Sequence, residues 1–126
     1  MRIFKTKRFD KFAQQHKIQD SSLRAAVVCA EKGLIDADLG GNVIKQRIAR
    51  MGRGKSGGYR TIIIYLRGKK TFFVHGFSKN DQDNLSPDEE KWLKATANHL
   101  LSESTLKLLA SGDFLEVKKN DKDIQK

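Results

Sequence analysis

The order of apolar and polar positions divides the chain into segments of different period. Residues 1–5 form a short strand with Ile3 and Phe4 directed inward. Phe9, Phe12 and Ala13 then fall at helical spacing, which predicts a first helix over residues 8–16. Leu23, Ala26, Val27 and Ala30 repeat that spacing in a second helix, with N-cap chemistry available in Asp20-Ser21-Ser22 and a stop at Gly33. Each is too short to be stable alone, so the pair is expected as a hairpin packed on something larger.

Beyond the turn Gly40-Gly41 the period drops to two. Residues 43–50 alternate apolar and basic side chains, as a half-buried strand should. Residues 51–58 read as a glycine-rich loop, and residues 59–66 are β-branched and aromatic, the strongest strand signal here. Arg67-Gly68-Lys69 turns the chain into a further strand over 71–77, completing an antiparallel meander. Ser86-Pro87-Asp88-Glu89-Glu90 then starts a helix: N-cap serine, proline at the first helical position, acids in the first turn. Trp92, Leu93, Ala97, Leu100 and Leu101 are its expected apolar side. A helical turn over 106–110 and an extended piece over 114–117 follow, with a polar tail at 118–126 expected to be disordered. The fold class is therefore α+β: a central antiparallel sheet, two N-terminal helices on one side and a C-terminal helix closing it. We expect a single domain over 1–117, of which 103–117 is a C-terminal extension.

Composition narrows the function classes. At 126 residues, with 38% hydrophobic and 32% charged residues, the chain suffices for one core. It holds no apolar run of membrane-spanning length and no apolar signal core at its start, so a membrane location and secretion are not expected and a cytoplasmic protein is. The one cysteine, Cys29, excludes a disulfide framework and multi-cysteine zinc sites, and reads as a small core residue.

Charge adds more. The net charge is +10, yet residues 39–80 alone carry ten bases and no acid. A solvated face normally mixes signs. A stretch without carboxylates suits a polyanion, although a basic surface for solubility or for an acidic protein has the same composition. Within it, Arg47, Lys55 and Arg60 are brought near one another by a basic strand, a glycine-rich loop and the next strand. Lys79, at the end of the following strand, can approach the same patch. Lys45, Arg50 and Arg53 extend the cationic surface. Tyr59 either stacks on a base or packs on the sheet face opposite Arg60. His75 reads as a structural strand histidine, His16 and His99 as solvent-facing, and Trp92 as a core anchor. Neither a metal nor a cofactor is expected, because the histidines have no partners at ligand spacing.

Arg47-Ile48-Ala49-Arg50, Gly54-Lys55-Ser56-Gly57-Gly58-Tyr59-Arg60 and Phe77-Ser78-Lys79-Asn80, in this order within the acid-free segment, resemble the RelE/ParE toxin superfamily, and more narrowly its HigB-like branch. The residues from Leu108 to Val117 look like C-terminal extensions of that branch. The resemblance implies the toxin of a type II toxin–antitoxin system, a metal-independent endoribonuclease (mRNA interferase) that cuts messenger RNA in the ribosomal A site. In such chemistry the 2′-hydroxyl attacks the neighbouring phosphate, so the site must supply a base, cations for the developing phosphorane charge and an acid for the leaving 5′-oxygen. The implied roles are Lys55 as base, Arg60 as phosphate clamp and Arg47 and Lys79 as electrostatic support. Lys45, Arg50, Arg53 and Tyr59 would hold RNA. Implied partners are the ribosome and its message, a helix-turn-helix antitoxin, and promoter DNA only as the toxin–antitoxin complex. The chain departs from RelE in carrying Asn80 where an arginine stands and in lacking a tyrosine over 81–86, which leaves the acid unassigned. Two other readings share these residues: a ParE-like gyrase poison acting by protein contact, and a non-catalytic RNA- or DNA-binding module.

Overall fold

The computed structural model describes residues 1–50, 54–78, 86–102, 107 and 110–117; for 49, 50, 54–57 and 101 it describes the backbone only. Among these residues six strands and three helices follow in the order β1 (Arg2–Thr6), α1 (Lys7–Gln15), α2 (Asp20–Glu31), β2 (Ala37–Gly40), β3 (Val43–Arg50), β4 (Gly54–Leu66), β5 (Lys70–Ser78), α3 (Pro87–Ser102) and β6 (Phe114–Glu116). The strands form one sheet in the order β2-β3-β4-β5-β1-β6. Its centre is the antiparallel meander β3-β4-β5, while β1 joins β5 in parallel and β6 returns antiparallel to β1.

Alternation along the strands sends side chains to two faces, and both are covered. Ile44, Ile48, Ile63 and Phe73 pack against Phe9 and Ala13 of α1 and Leu23, Ala26 and Val27 of α2. Val43, Ile62, Ile64 and Phe72 pack against Leu93, Ala97 and Leu100 of α3. The run Ile62-Ile63-Ile64 is thus apolar throughout because successive residues serve opposite cores. Lys5 crosslinks the first three elements, its ammonium lying 2.9 Å from Asp10 and 3.1 Å from Asp20.

Local sequence explains the helix ends. Thr6 caps α1 by accepting from the Phe9 amide. At α3, Ser86 Oγ accepts from the Glu89 amide and Glu89 accepts from the Ser86 amide, a reciprocal capping box. The Asp20-Ser21-Ser22 cap expected for α2 does not form: the helix already includes Asp20, whose carboxylate is taken by Lys5, and its N-cap is Gln19 without a side-chain bond.

Three further expectations are corrected. The glycine-rich stretch expected as loop to residue 58 is strand from Gly54 onward. Cys29 is exposed, because Leu23, Ala26, Val27 and Ala30 define the buried stripe and Cys29 falls on its flank. Trp92 is 64% exposed, not a core anchor: Leu93 takes the core position, and the residue before it projects about 100° around the helix. The expected turn over 106–110 and the tail over 118–126 lie wholly or mostly outside the described residues.

Candidate functional site

Strand register builds the site. Arg47 of β3 is the direct partner of Arg60 on β4, and Arg60 in turn faces Phe77 on β5. Alternation puts Lys45 and Arg47 on the same face as Val43, and Arg60 on the same face as Ile62 and Ile64, which is the face carrying α3. Arg47 is exposed, and Lys45 and Arg60 are half-buried. Like charges directly opposite in an antiparallel pair disfavour the pairing. An anion bridging them would remove that repulsion, so the pair is suited to a phosphate.

Gly58 allows the two strands to close up beside this pair. A β-carbon there would stand 2.6 Å from the Ile48 carbonyl oxygen, inside any ordinary contact. From Ile48 to Arg50 β3 advances two residues while β4 goes from Tyr59 to Gly54. Such an irregularity bends the strands and breaks simple alternation, so the face occupied by Lys55 does not follow from that of Arg60. The side chains of Arg50 and Lys55 lie outside the described residues, as do Arg53 and Lys79 entirely. Of the eight cationic and aromatic positions singled out from sequence, the structure therefore brings Lys45, Arg47 and Arg60 to one face. Tyr59 lies on the opposite face, 7% exposed, with its ring 5.8 Å from Phe12 and 5.0 Å from His16. Its geometry is that of the packing alternative. His16 is correspondingly half-buried among aromatic rings instead of solvent-facing.

The RelE toxin of RelE/RelB toxin–antitoxin systems matches residues 1–117. The chain belongs to the RelE toxin family. No curated protein matches it significantly. The toxin role, and with it an antitoxin partner of the RelB type, attaches to the protein through this membership. No helix of the described residues is long and apolar enough to cross a membrane.

Two features of the toxin escaped the sequence reading. Glu31, at the end of α2, accepts from the Tyr65 hydroxyl and the Gly68 amide, while Arg67 donates to the Glu31 carbonyl at 2.8 Å. Burial, reinforced by the Glu31 carboxylate, pushes the Tyr65 phenol up to about 12. This latch fastens the β4–β5 turn to α2, far from Arg60. The second is a cleft of about 470 Å³ between α3, β5 and the start of α1, lined by Arg8, His75, Glu89 and Trp92 among others. Burial and the nearby Arg8 cation hold the His75 imidazole below its usual value, partly offset by Glu89. Gly76, next to His75, marks a different contact: a glycine in an aromatic strand signals a close approach, and a β-carbon there would meet the Phe12 ring of α1 at 2.4 Å.

Proposed function

We propose that this RelE-family toxin is a metal-independent endoribonuclease of the HigB-like branch that cleaves messenger RNA on the ribosome. The observation that carries the reading is the register pairing of Arg47 with Arg60 on one sheet face, within strands that contain no carboxylate. Such a pair binds the scissile phosphate and stabilises the extra negative charge of a phosphorane more than that of the ground state. In the proposed reaction Lys55, acting as the free amine, takes the proton of the 2′-hydroxyl. The freed oxygen bonds to phosphorus and the 5′-oxygen leaves with a proton from an acid not yet assigned, giving a 2′,3′-cyclic phosphate. Lys79 adds electrostatic support, and Lys45, Arg50 and Arg53 hold backbone phosphates. The partner would be a helix-turn-helix antitoxin, and the pair together would bind promoter DNA.

The test is induction of the toxin beside Lys55→Ala and Arg60→Ala, with 5′ ends mapped on ribosome-bound messages. In-frame cuts that vanish in both variants support the reading. Growth arrest without cuts, accompanied by DNA damage and indifferent to both substitutions, overturns it in favour of a gyrase poison. Binding to RNA without cleavage, losing roughly 50-fold in affinity from 50 to 200 mM salt for about four phosphate contacts, would leave only a binding module.

A further inference from the structure

A break in strand alternation decides where His75 lies. Along the β4–β5 pair Ile62 faces His75 while Ile63 faces Phe73, so Val74 is an extra residue in β5. In unbroken alternation Phe73, His75 and Phe77 would share one face. Instead Phe73 packs with α1 and α2, whereas Phe77 packs with Ile62 on the face that carries Arg47 and Arg60. His75, opposite Ile62 and with its ring 5.7 Å from that of Phe77, is brought to the arginine face with it. Bulges of this kind are over-represented beside active sites, where they re-aim a side chain. Because Arg60 faces Phe77, the register also makes His75 the diagonal neighbour of Arg60. Diagonal neighbours stand roughly 7–8 Å apart, within reach of long side chains. The other two histidines are elsewhere: His16 packs on Tyr59 on the opposite face, and His99 belongs to the last turn of α3. Glu89, at the rim of the same cleft, has its carboxyl held below the usual value by the Ser86 bonds and is therefore ionised near neutrality. His75 is the half-buried group on this face that can hold and release a proton there.

We infer that His75 is the general acid of the cleavage site, giving its proton to the 5′-oxygen as that oxygen leaves phosphorus. The inference rests on the ribonuclease reading above and fills the role left open there. As the 2′-oxygen bonds to phosphorus, its proton passes to the Lys55 amine. As the bond from phosphorus to the 5′-oxygen breaks, the imidazolium proton passes to that oxygen. Lys55 ends as an ammonium and His75 as a neutral imidazole, and exchange with water restores both. In the free protein, burial and Arg8 disfavour the imidazolium while Glu89 of α3 favours it, and Lys11 of α1 adds a further cation nearby. A phosphodiester held by the Arg47–Arg60 pair brings anionic oxygens to the same face, so substrate binding favours the charged form that the reaction needs.

The test compares single-turnover cleavage of two messages on programmed ribosomes, one ordinary and one with sulfur in place of the 5′-oxygen at the cut. A thiolate leaves without needing a proton, so the second message dispenses with the acid. His75→Gln and His75→Phe, the latter keeping the ring that packs on Phe77, should both lose about 100-fold or more on the ordinary message. On the sulfur message both should recover to within about tenfold of wild type, while Lys55→Ala stays impaired on the two alike. A variant that is merely misfolded or displaced loses both messages equally, and that result overturns the inference. So does cleavage of the ordinary message within about threefold of wild type in both His75 variants. Either of those results, obtained while the wild type cuts, leaves the ribonuclease reading intact. A wild-type toxin that cuts neither message refutes that reading, and the acid role with it.

Discussion

Replacing Gly58 by alanine tests whether the arginine pair depends on the close approach of β3 and β4. The added β-carbon would sit 2.6 Å from the Ile48 carbonyl oxygen, when real β-carbons essentially never come within 3.0 Å of a neighbour. That neighbour is backbone, held by the Ile48–Tyr59 pairing, so it cannot swing aside as a side-chain tip would. The strands must part by roughly half an ångström, an overpacking strain of about 1–3 kcal/mol. For a domain of this size that lowers Tm by roughly 4–12 °C. The displacement also reaches Arg60, two residues along β4, and Arg47, next to Ile48. Since a misplacement of about 1 Å can lose about 100-fold in rate, a tenfold fall in cleavage is expected at temperatures where the variant is fully folded. Urea melts give the first quantity and primer-extension mapping of cut messages the second. A Gly58→Ala protein within about 0.3 kcal/mol of wild type, cutting at the wild-type rate, would refute the argument.

Other outcomes follow from the same packing. Gly76→Ala drives a β-carbon into the Phe12 ring, and because Phe12 also touches Tyr59 and His16 it should cost about 1–3 kcal/mol in a denaturant melt. Ser86→Ala removes one arm of the capping box and should lower stability by about 1 kcal/mol, read in the same way. Glu31→Gln should bring the Tyr65 phenol down from about 12, seen by ultraviolet titration. Because that phenol's value is raised by folding, its contribution to stability is complete below the unfolded value near 10 and is lost between there and about 12. His75 behaves in the opposite sense. Its value is lowered by burial and by Arg8 against the pull of Glu89, so its contribution is present above the unfolded histidine value and falls away as pH drops through the folded one. His75→Phe should flatten that acid limb in stability measured against pH.

The sequence by itself carried the element types, because the change from helical period to alternation at the Gly40-Gly41 turn is local and reports which face of each segment is buried. It also carried the capping of α3 and the concentration of cations in residues 39–80, since both are read from adjacent residues. The pairing of Arg47 with Arg60 was within reach as proximity but not as register, because a one-residue slip sends either side chain to the other face. The irregularity between Ile48 and Arg50 breaks that alternation, which is why strand pattern did not extend to Lys55. Tertiary structure alone decided the rest. Trp92 and Cys29 look apolar to any composition rule, yet each sits on the flank of a helix whose buried stripe is already filled by its neighbours. The Glu31 latch and the cleft joining Arg8, His75, Glu89 and Trp92 assemble residues far apart in the chain, and no local period records which helix face will meet which strand edge. That choice is made by the two-sided packing of the sheet, with α1 and α2 on one face and α3 on the other.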